Sequence, residues 1–118
     1  FLDERFFLYY EDADFCLRAA NAGFGCLIVP GARVKHTEIS SENPEKTYHL
    51  VYSGLIFSKQ HAPRILKPWL AGYATIRRLK NRFDRLLGRE DADAVCRAFK
   101  DFDRYGNLPS YLDRHRQL

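Results

Sequence analysis

The sequence predicts an α/β chain that is mostly helical as it stands, with its strands confined to the first half. Aromatic or fully apolar runs too short to form helices stand at residues 6–10 and 26–29. After residue 62 the apolar residues recur at helical spacings of three and four, without a strand signal. This composition shift predicts two regions, residues 1–62 and residues 63–118.

The totals limit the class of protein. A chain of 118 residues with 46% hydrophobic and 29% charged residues is typical of at most one soluble globular domain. It contains no apolar run of about 18 residues, which excludes a membrane-spanning helix. Three widely spaced cysteines without a C-x-x-C pair argue against a disulfide framework and a zinc knuckle. We therefore expect a reducing, cytoplasmic location, and the absence of Met suggests a piece of a longer protein.

The first region begins at residues 6–10 with a segment predicted to be either a short buried strand or an extended entry to a helix. A helix over residues 11–22 is predicted to follow it. Acidic residues occupy the first turn of that helix, where the helix dipole favours them. Asp14 and Arg18 are four residues apart and are predicted to form a structural ion pair. Gly23 is the expected C-cap.

Two further strands are predicted at residues 26–29 and 33–36, joined by a turn at Pro30-Gly31. Residues 37–44 are predicted to form a polar loop, and residues 45–60 a helix with Pro44 in its first turn.

The second region is predicted to contain two helices. The first covers residues 70–87 and ends at Gly88, with an apolar core stripe formed by Ile76, Leu79, Phe83 and Leu86. The second covers residues 90–105 and ends at Gly106-Asn107, with Val95, Phe99 and Phe102 on one face.

Glu11 and Asp12 are the first candidate site residues. A carboxylate fixed where a buried strand meets a helix can accept a proton from a hydroxyl nucleophile. The alternative is that these acids only begin the helix and interact with its dipole. The same Glu-Asp-Ala-Asp tetrapeptide recurs at residues 90–93, where no strand precedes it and the helix-start explanation is sufficient.

His36 is a candidate metal ligand because it ends a predicted strand and precedes a polar loop. A single histidine is more often a surface or core-packing residue than a metal ligand. No H-E-x-x-H motif or His/Cys cluster accompanies it, so any further ligands would lie outside this chain.

Positive charge is concentrated at residues 63–89. That segment has eight Lys or Arg residues and one acid, Asp84, giving 8 − 1 = +7. A local field of this size indicates an anionic neighbour, such as lipid headgroups, phosphates or an acidic partner. The basic helix at residues 76–89 is interpreted either as a solvated face over a core stripe or as a membrane-surface helix. Nucleic acid is disfavoured as a partner, because aromatic residues do not interleave with the cations.

Residues 2–36, LDERFFLYYEDADFCLRAANAGFGCLIVPGARVKH, carry a combination of motifs. An F-D-E-x-F-F-like lead is followed by an acid pair, an A/V-D-x-x-x-R segment, a Gly-aromatic step and V-P-x-A-x-V-x-H. This run resembles the C-terminal half of a family-2 glycosyltransferase domain, closest to rhamnosyltransferase-like and galactofuranosyltransferase-like members. The resemblance covers about a third of the chain.

The resemblance implies the C-terminal fragment of a GT-A fold, which is Rossmann-like, with a helical extension. It implies transfer with inversion from a nucleotide-sugar donor to a glycan or lipid-linked hydroxyl acceptor. Asp12 corresponds to the general base, Glu11 to an acceptor contact, and Asp14 and Arg18 to further substrate-binding positions. His36 corresponds to a residue that helps a D-x-D motif hold a divalent cation, Mn or Mg.

Two departures from that family accompany the match. The donor-binding half and its D-x-D motif are absent, so we expect the isolated chain to be inactive. Tyr52-Ser53 stands where family members often carry Arg-Asn. The alternative function is a helical module that binds a membrane surface or a partner without catalysis. A further expectation is peripheral contact with an anionic membrane, at the inner face of the cell membrane, through residues 76–89.

Overall fold

The computed structural model describes residues 1–35 and 43–109. It contains four α-helices: α1 (Glu11–Asn21), α2 (Pro44–His61), α3 (Lys67–Leu86) and α4 (Ala92–Tyr105), with a 3-10 turn at Arg64–Leu66 before α3. The mostly helical character predicted from the sequence is therefore confirmed. None of the described helices is both long and apolar enough to cross a bilayer.

The helix ends show why these segments form. Asn43 is the N-cap of α2, because its Oδ1 accepts a hydrogen bond from the Glu45 backbone N–H at 2.9 Å, and Pro44 occupies the first turn. At the end of α1, Gly23 has φ 86° and its N–H donates to the Ala20 carbonyl at 3.0 Å. The C-cap itself is Ala22, one residue before the predicted position, and Gly23 follows it in the left-handed conformation that ends the helix.

The core lies where α2 packs against α4. Val51 of α2 meets Val95, Ala98 and Phe99 of α4, and Ala74 of α3 packs at the edge of this cluster. The core therefore takes side chains from both sides of the predicted boundary at residues 62–63, and the division into two regions stays a prediction. The cluster is small, and many large apolar side chains elsewhere are exposed.

The predicted strands are wrong within the described residues, none of which is in a strand. Tyr9 and Tyr10 have φ 67° and 68°, which is incompatible with a strand at residues 6–10. Leu27 and Ile28 are 90% and 93% exposed. Residues 26–29 and 33–35 have no strand partner among the described residues and so form no sheet. His36 lies outside the described residues.

The apolar stripe of α3 is also misassigned by the sequence. Ile76, Phe83 and Leu86 are 68%, 69% and 84% exposed, so the stripe faces solvent and is not core. The opposite face of α3 makes the contact with α4. There the Asn81 side chain is buried and its Nδ2 donates to the Ala92 carbonyl at 2.9 Å. The contact between α3 and α4 therefore contains a buried polar side chain, although the sequence pattern predicted an apolar one.

Gly106 tests the packing at the end of α4. A Cβ at this position would lie 2.5 Å from the Phe102 carbonyl oxygen and 2.7 Å from its ring. We expect Gly106→Ala to lower the free energy of unfolding by about 1–3 kcal/mol, because backbone must move to accommodate the methyl group. Gly72→Ala in α3 is the matched control, since nothing lies within 4 Å. It should stabilise by up to about 1 kcal/mol through helix propensity. Urea unfolding measures both, and equal midpoints would contradict the packing described.

Candidate functional site at the start of α1

The predicted acidic residues are neighbours in the first turn of α1, but they differ in their exposure to solvent. Asp12 is exposed, and its Oδ1 accepts a hydrogen bond at 2.7 Å from the Ala13 backbone N–H that follows it. Asp14, two residues later, is completely buried. The two carboxylates therefore face solvent and the protein interior, respectively.

Asp14 joins α1 to the end of α2. Its Oδ2 accepts from the Arg18 Nε at 2.8 Å, and its Oδ1 lies 2.6 Å from the His61 Nε2. The Gln60 Nε2 donates to the same Oδ1 at 3.3 Å. The predicted ion pair between Asp14 and Arg18 is confirmed, and it is part of a larger buried cluster than the spacing of four residues indicates.

The polar groups of Asp14 and Arg18 form hydrogen bonds with other residues of the protein. Arg18 also donates from Nη2 to the Phe1 carbonyl at 3.0 Å. These contacts give the pair a clear structural role, which is to fix the direction of α1. The assignment of Asp14 and Arg18 to substrate binding stays a prediction.

Glu11 is half-buried, and its two oxygens are not equivalent. Its Oε2 is inaccessible to solvent and has no hydrogen-bond partner among residues 1–35 and 43–109. A buried carboxylate oxygen without a partner is costly, since it has lost its hydration without compensation.

The chain enters α1 through a strained turn. Tyr9 and Tyr10 both have left-handed φ values, a conformation that costs bulky residues of the order of 1–3 kcal/mol each. Contacts with α2 hold the turn in place. The buried Ser53 donates from Oγ to the Leu8 carbonyl at 2.8 Å, and the Tyr10 ring packs against Phe57 with centroids 5.2 Å apart.

Asp3 and Arg5 form a second anchor for this entry, which the sequence reasoning missed. The carboxylate of Asp3 is 1% exposed and accepts from the Arg5 Nη2 at 2.7 Å, while the same nitrogen donates to the Gln60 Oε1 at 2.8 Å. Burial by itself raises the pKa of Asp3. The hydrogen bonds and charge of Arg5, with the charge of Arg18, outweigh burial and hold that pKa below its usual value. Nothing in the local spacing pointed to Gln60 as the partner.

Cys26 lies beside α1. The neighbouring Cys26 thiol, followed by desolvation and the charge of Asp12, raises the pKa of the Cys16 thiol. The three cysteines are free. Within the described ranges no group of three or more His, Cys, Asp or Glu side chains is placed to hold a metal ion. The metal role of His36 falls outside those ranges and stays a prediction.

Comparison of the chain with known proteins does not identify a family. A scan against protein-family models, a search of curated proteins and a search of solved structures each found no match to this chain.

Proposed function

We propose that this chain is the acceptor-side part of an inverting glycosyltransferase, in which Asp12 is the general base. The motif resemblance of residues 2–36 suggests the reaction class. The observation that carries the proposal is the exposure of Asp12 at the start of a helix whose position is fixed by a buried ionic cluster.

A general base must be accessible and must also be held in one place, because misplacement of a reacting group by about 1 Å can cost a hundredfold in rate. Asp12 meets the first requirement through its exposure. The second is supported by Asp14, which ties the same helical turn to His61, and by the strained turn at Tyr10.

The proposed chemistry needs one base and no protein nucleophile. The Asp12 carboxylate takes the proton of an acceptor hydroxyl, and the oxygen attacks the anomeric carbon of the nucleotide sugar. A carbon–oxygen bond forms on the face opposite the leaving group. The bond to the nucleoside diphosphate breaks, and the diphosphate leaves with the electron pair. One displacement of this kind inverts the configuration of the sugar.

Glu11 is proposed to orient the acceptor. Its carboxylate can accept a hydrogen bond from a second hydroxyl of the acceptor once the side chain turns toward solvent, because Oε2 has no partner to lose. A divalent cation, Mn or Mg, remains part of the proposal through His36, and its other ligands would come from a donor-binding half. The cation would offset charge on the leaving diphosphate.

The test uses the enzyme that contains this chain together with a donor-binding half. Asp12→Asn should lower sugar transfer by about a thousandfold, since the amide cannot accept the proton. Nucleoside diphosphate release from a panel of nucleotide sugars, with acceptor present, measures the loss. Donor affinity, measured by calorimetry, should change less than about twofold, because Asp12 faces the acceptor.

Asp91→Asn is the matched control, because Asp91 occupies the equivalent position in the second Glu-Asp-Ala-Asp tetrapeptide and is also exposed. Its transfer rate should equal that of the wild type. Undiminished transfer by Asp12→Asn would remove Asp12 as the base.

A further inference from the structure

The exposed face of α3 is the largest feature of the molecule that the proposed reaction does not use. Residues 69, 76, 83 and 87 are spaced by seven, seven and four, so they lie along one line of the helix. Their side chains, Trp69, Ile76, Phe83 and Leu87, are 78%, 68%, 69% and 74% exposed. Leu79 and Leu86 border this line and are 52% and 84% exposed.

The face extends along the whole helix and continues at its N-terminal side. The 20 residues of α3 span about 30 Å at the usual rise per residue. Ile65, in the 3-10 turn just before α3, is 85% exposed. Lys80, four residues after Ile76 and three before Phe83, interrupts this line with a side chain that is 65% exposed. An exposed apolar face of this length marks an interaction surface.

The eight cations of residues 63–89 divide into three groups. Two of them contact acids of α4: the Arg78 Nη2 lies 2.6 Å from the Asp103 Oδ1, and the Arg85 Nε lies 2.9 Å from the Asp93 Oδ1. Lys80 and Arg89 both pair with Asp84 and neutralise the one acid of the segment. The remaining cations make no ion pair with a carboxylate of residues 1–35 and 43–109: Arg64, Lys67, Arg77 and Arg82.

The unpaired cations border the apolar face. Arg82 is three residues after Leu79 and four before Leu86, and Arg77 follows Ile76 on the other side. A long apolar line with cations on both sides and a tryptophan near one end is typical of a helix that lies in a membrane interface. There the apolar side chains face the lipid acyl chains and the cations face anionic headgroups. An acidic protein partner would satisfy the cations but would not require a straight apolar line of 30 Å.

We propose that α3 lies flat on a membrane with anionic headgroups, with Trp69, Ile76 and Phe83 in the apolar boundary and Arg77 and Arg82 among the phosphates. The sequence pattern placed this contact at residues 76–89. The exposure of Ile65 extends the proposed contact toward the start of α3. Arg78 and Arg85 pair with acids of α4 and are left out of it. The inference does not depend on catalysis by Asp12, because binding to vesicles is measured without any sugar transfer.

Flotation of the 118-residue chain with lipid vesicles tests the proposal. Vesicles of phosphatidylcholine with 30% phosphatidylglycerol, about a third anionic as in an acidic leaflet, should carry the protein, and pure phosphatidylcholine vesicles should carry much less. Raising the salt from about 0.05 M to 0.5 M should release most of the bound protein, because the attraction to the headgroups is screened. Binding to neither vesicle, or equal binding to both, would overturn the proposal.

Matched substitutions identify the surface. Phe83→Gln should weaken the partition onto anionic vesicles about tenfold. Phe24→Gln should not, although Phe24 has the same 69% exposure outside α3. Arg82→Gln should weaken partition about fivefold, and Arg33→Gln, another exposed arginine, should have less effect. Circular dichroism should show unchanged helix content for all four. Equal losses for Phe83→Gln and Phe24→Gln would exclude α3 as the binding face.

Discussion

Replacing Asp14 by alanine should lower the free energy of unfolding by about 3 kcal/mol. The carboxylate is completely buried and is the common partner of Arg18, His61 and Gln60. Its removal leaves the Arg18 guanidinium with only the Phe1 carbonyl as an acceptor and takes the carboxylate partner from the partly buried His61 imidazole. The desolvation of these groups is then largely uncompensated. Urea unfolding followed by circular dichroism measures the loss. We also expect α1 to lose its attachment to α2, so amides of α1 should exchange faster with deuterium.

Asp93→Ala is the control for this prediction. Asp93 is the last residue of the second Glu-Asp-Ala-Asp tetrapeptide, as Asp14 is of the first. It also pairs with an arginine, Arg85, at 2.9 Å, but its side chain is 82% exposed. A pair in solvent contributes little, so Asp93→Ala should cost less than about 1 kcal/mol. Similar losses for the two variants would mean that burial of Asp14 does not determine its contribution.

Phe99→Ala should cost about 3–5 kcal/mol, the largest loss expected from a single side chain of the core. Phe99 is 5% exposed and packs with Val51 and Val95 at the contact between α2 and α4. In a core of this size the neighbouring helices can relax only by giving up that contact. Chemical denaturation should show a lower midpoint, with loss of the single cooperative transition if α2 separates from α4.

The Phe99 ring also faces a cation, so its contribution from burial must be separated from its cation–π contact. The Arg78 guanidinium lies 4.7 Å from the ring centroid and pairs with Asp103. Arg78→Gln removes the cation and keeps the ring, and it should cost about 1 kcal/mol. A loss for Arg78→Gln as large as that for Phe99→Ala would show that the cation, and not burial of the ring, holds α3 and α4 together.

Local signals predicted the helices well. The acids at residues 11–14, Pro44 and the glycines at 23 and 88 mark helix ends, and each acts through contacts within one turn of the chain. The structure places α1, α2 and α3 within a few residues of their predicted bounds. The ion pair of Asp14 with Arg18 belongs to the same class, because a spacing of four on a helix fixes the distance.

The features that the sequence did not predict depend on contacts between residues far apart in the chain. A run such as residues 26–29 forms a strand only if another segment pairs with it, and the local sequence does not contain that information. The apolar line of α3 shows the same limit, because periodicity identifies an apolar face but not what covers it. For the candidate site, the exposure of Asp12 and the burial of Asp14 depend on His61 and Gln60, which come from a different helix.

The strained turn at Tyr9 and Tyr10 restricts which residues can replace Gly54 in α2. A Cβ at this position would lie 3.3 Å from the Tyr10 ring, closer than most such contacts. Residue 54 is in the middle of a helix, where alanine is ordinarily preferred over glycine. A substitution that improves the helix locally therefore presses on the ring that precedes Glu11 and Asp12. The range of residues that position 54 tolerates is thus set by a distant tyrosine, and selection on the two positions should be correlated.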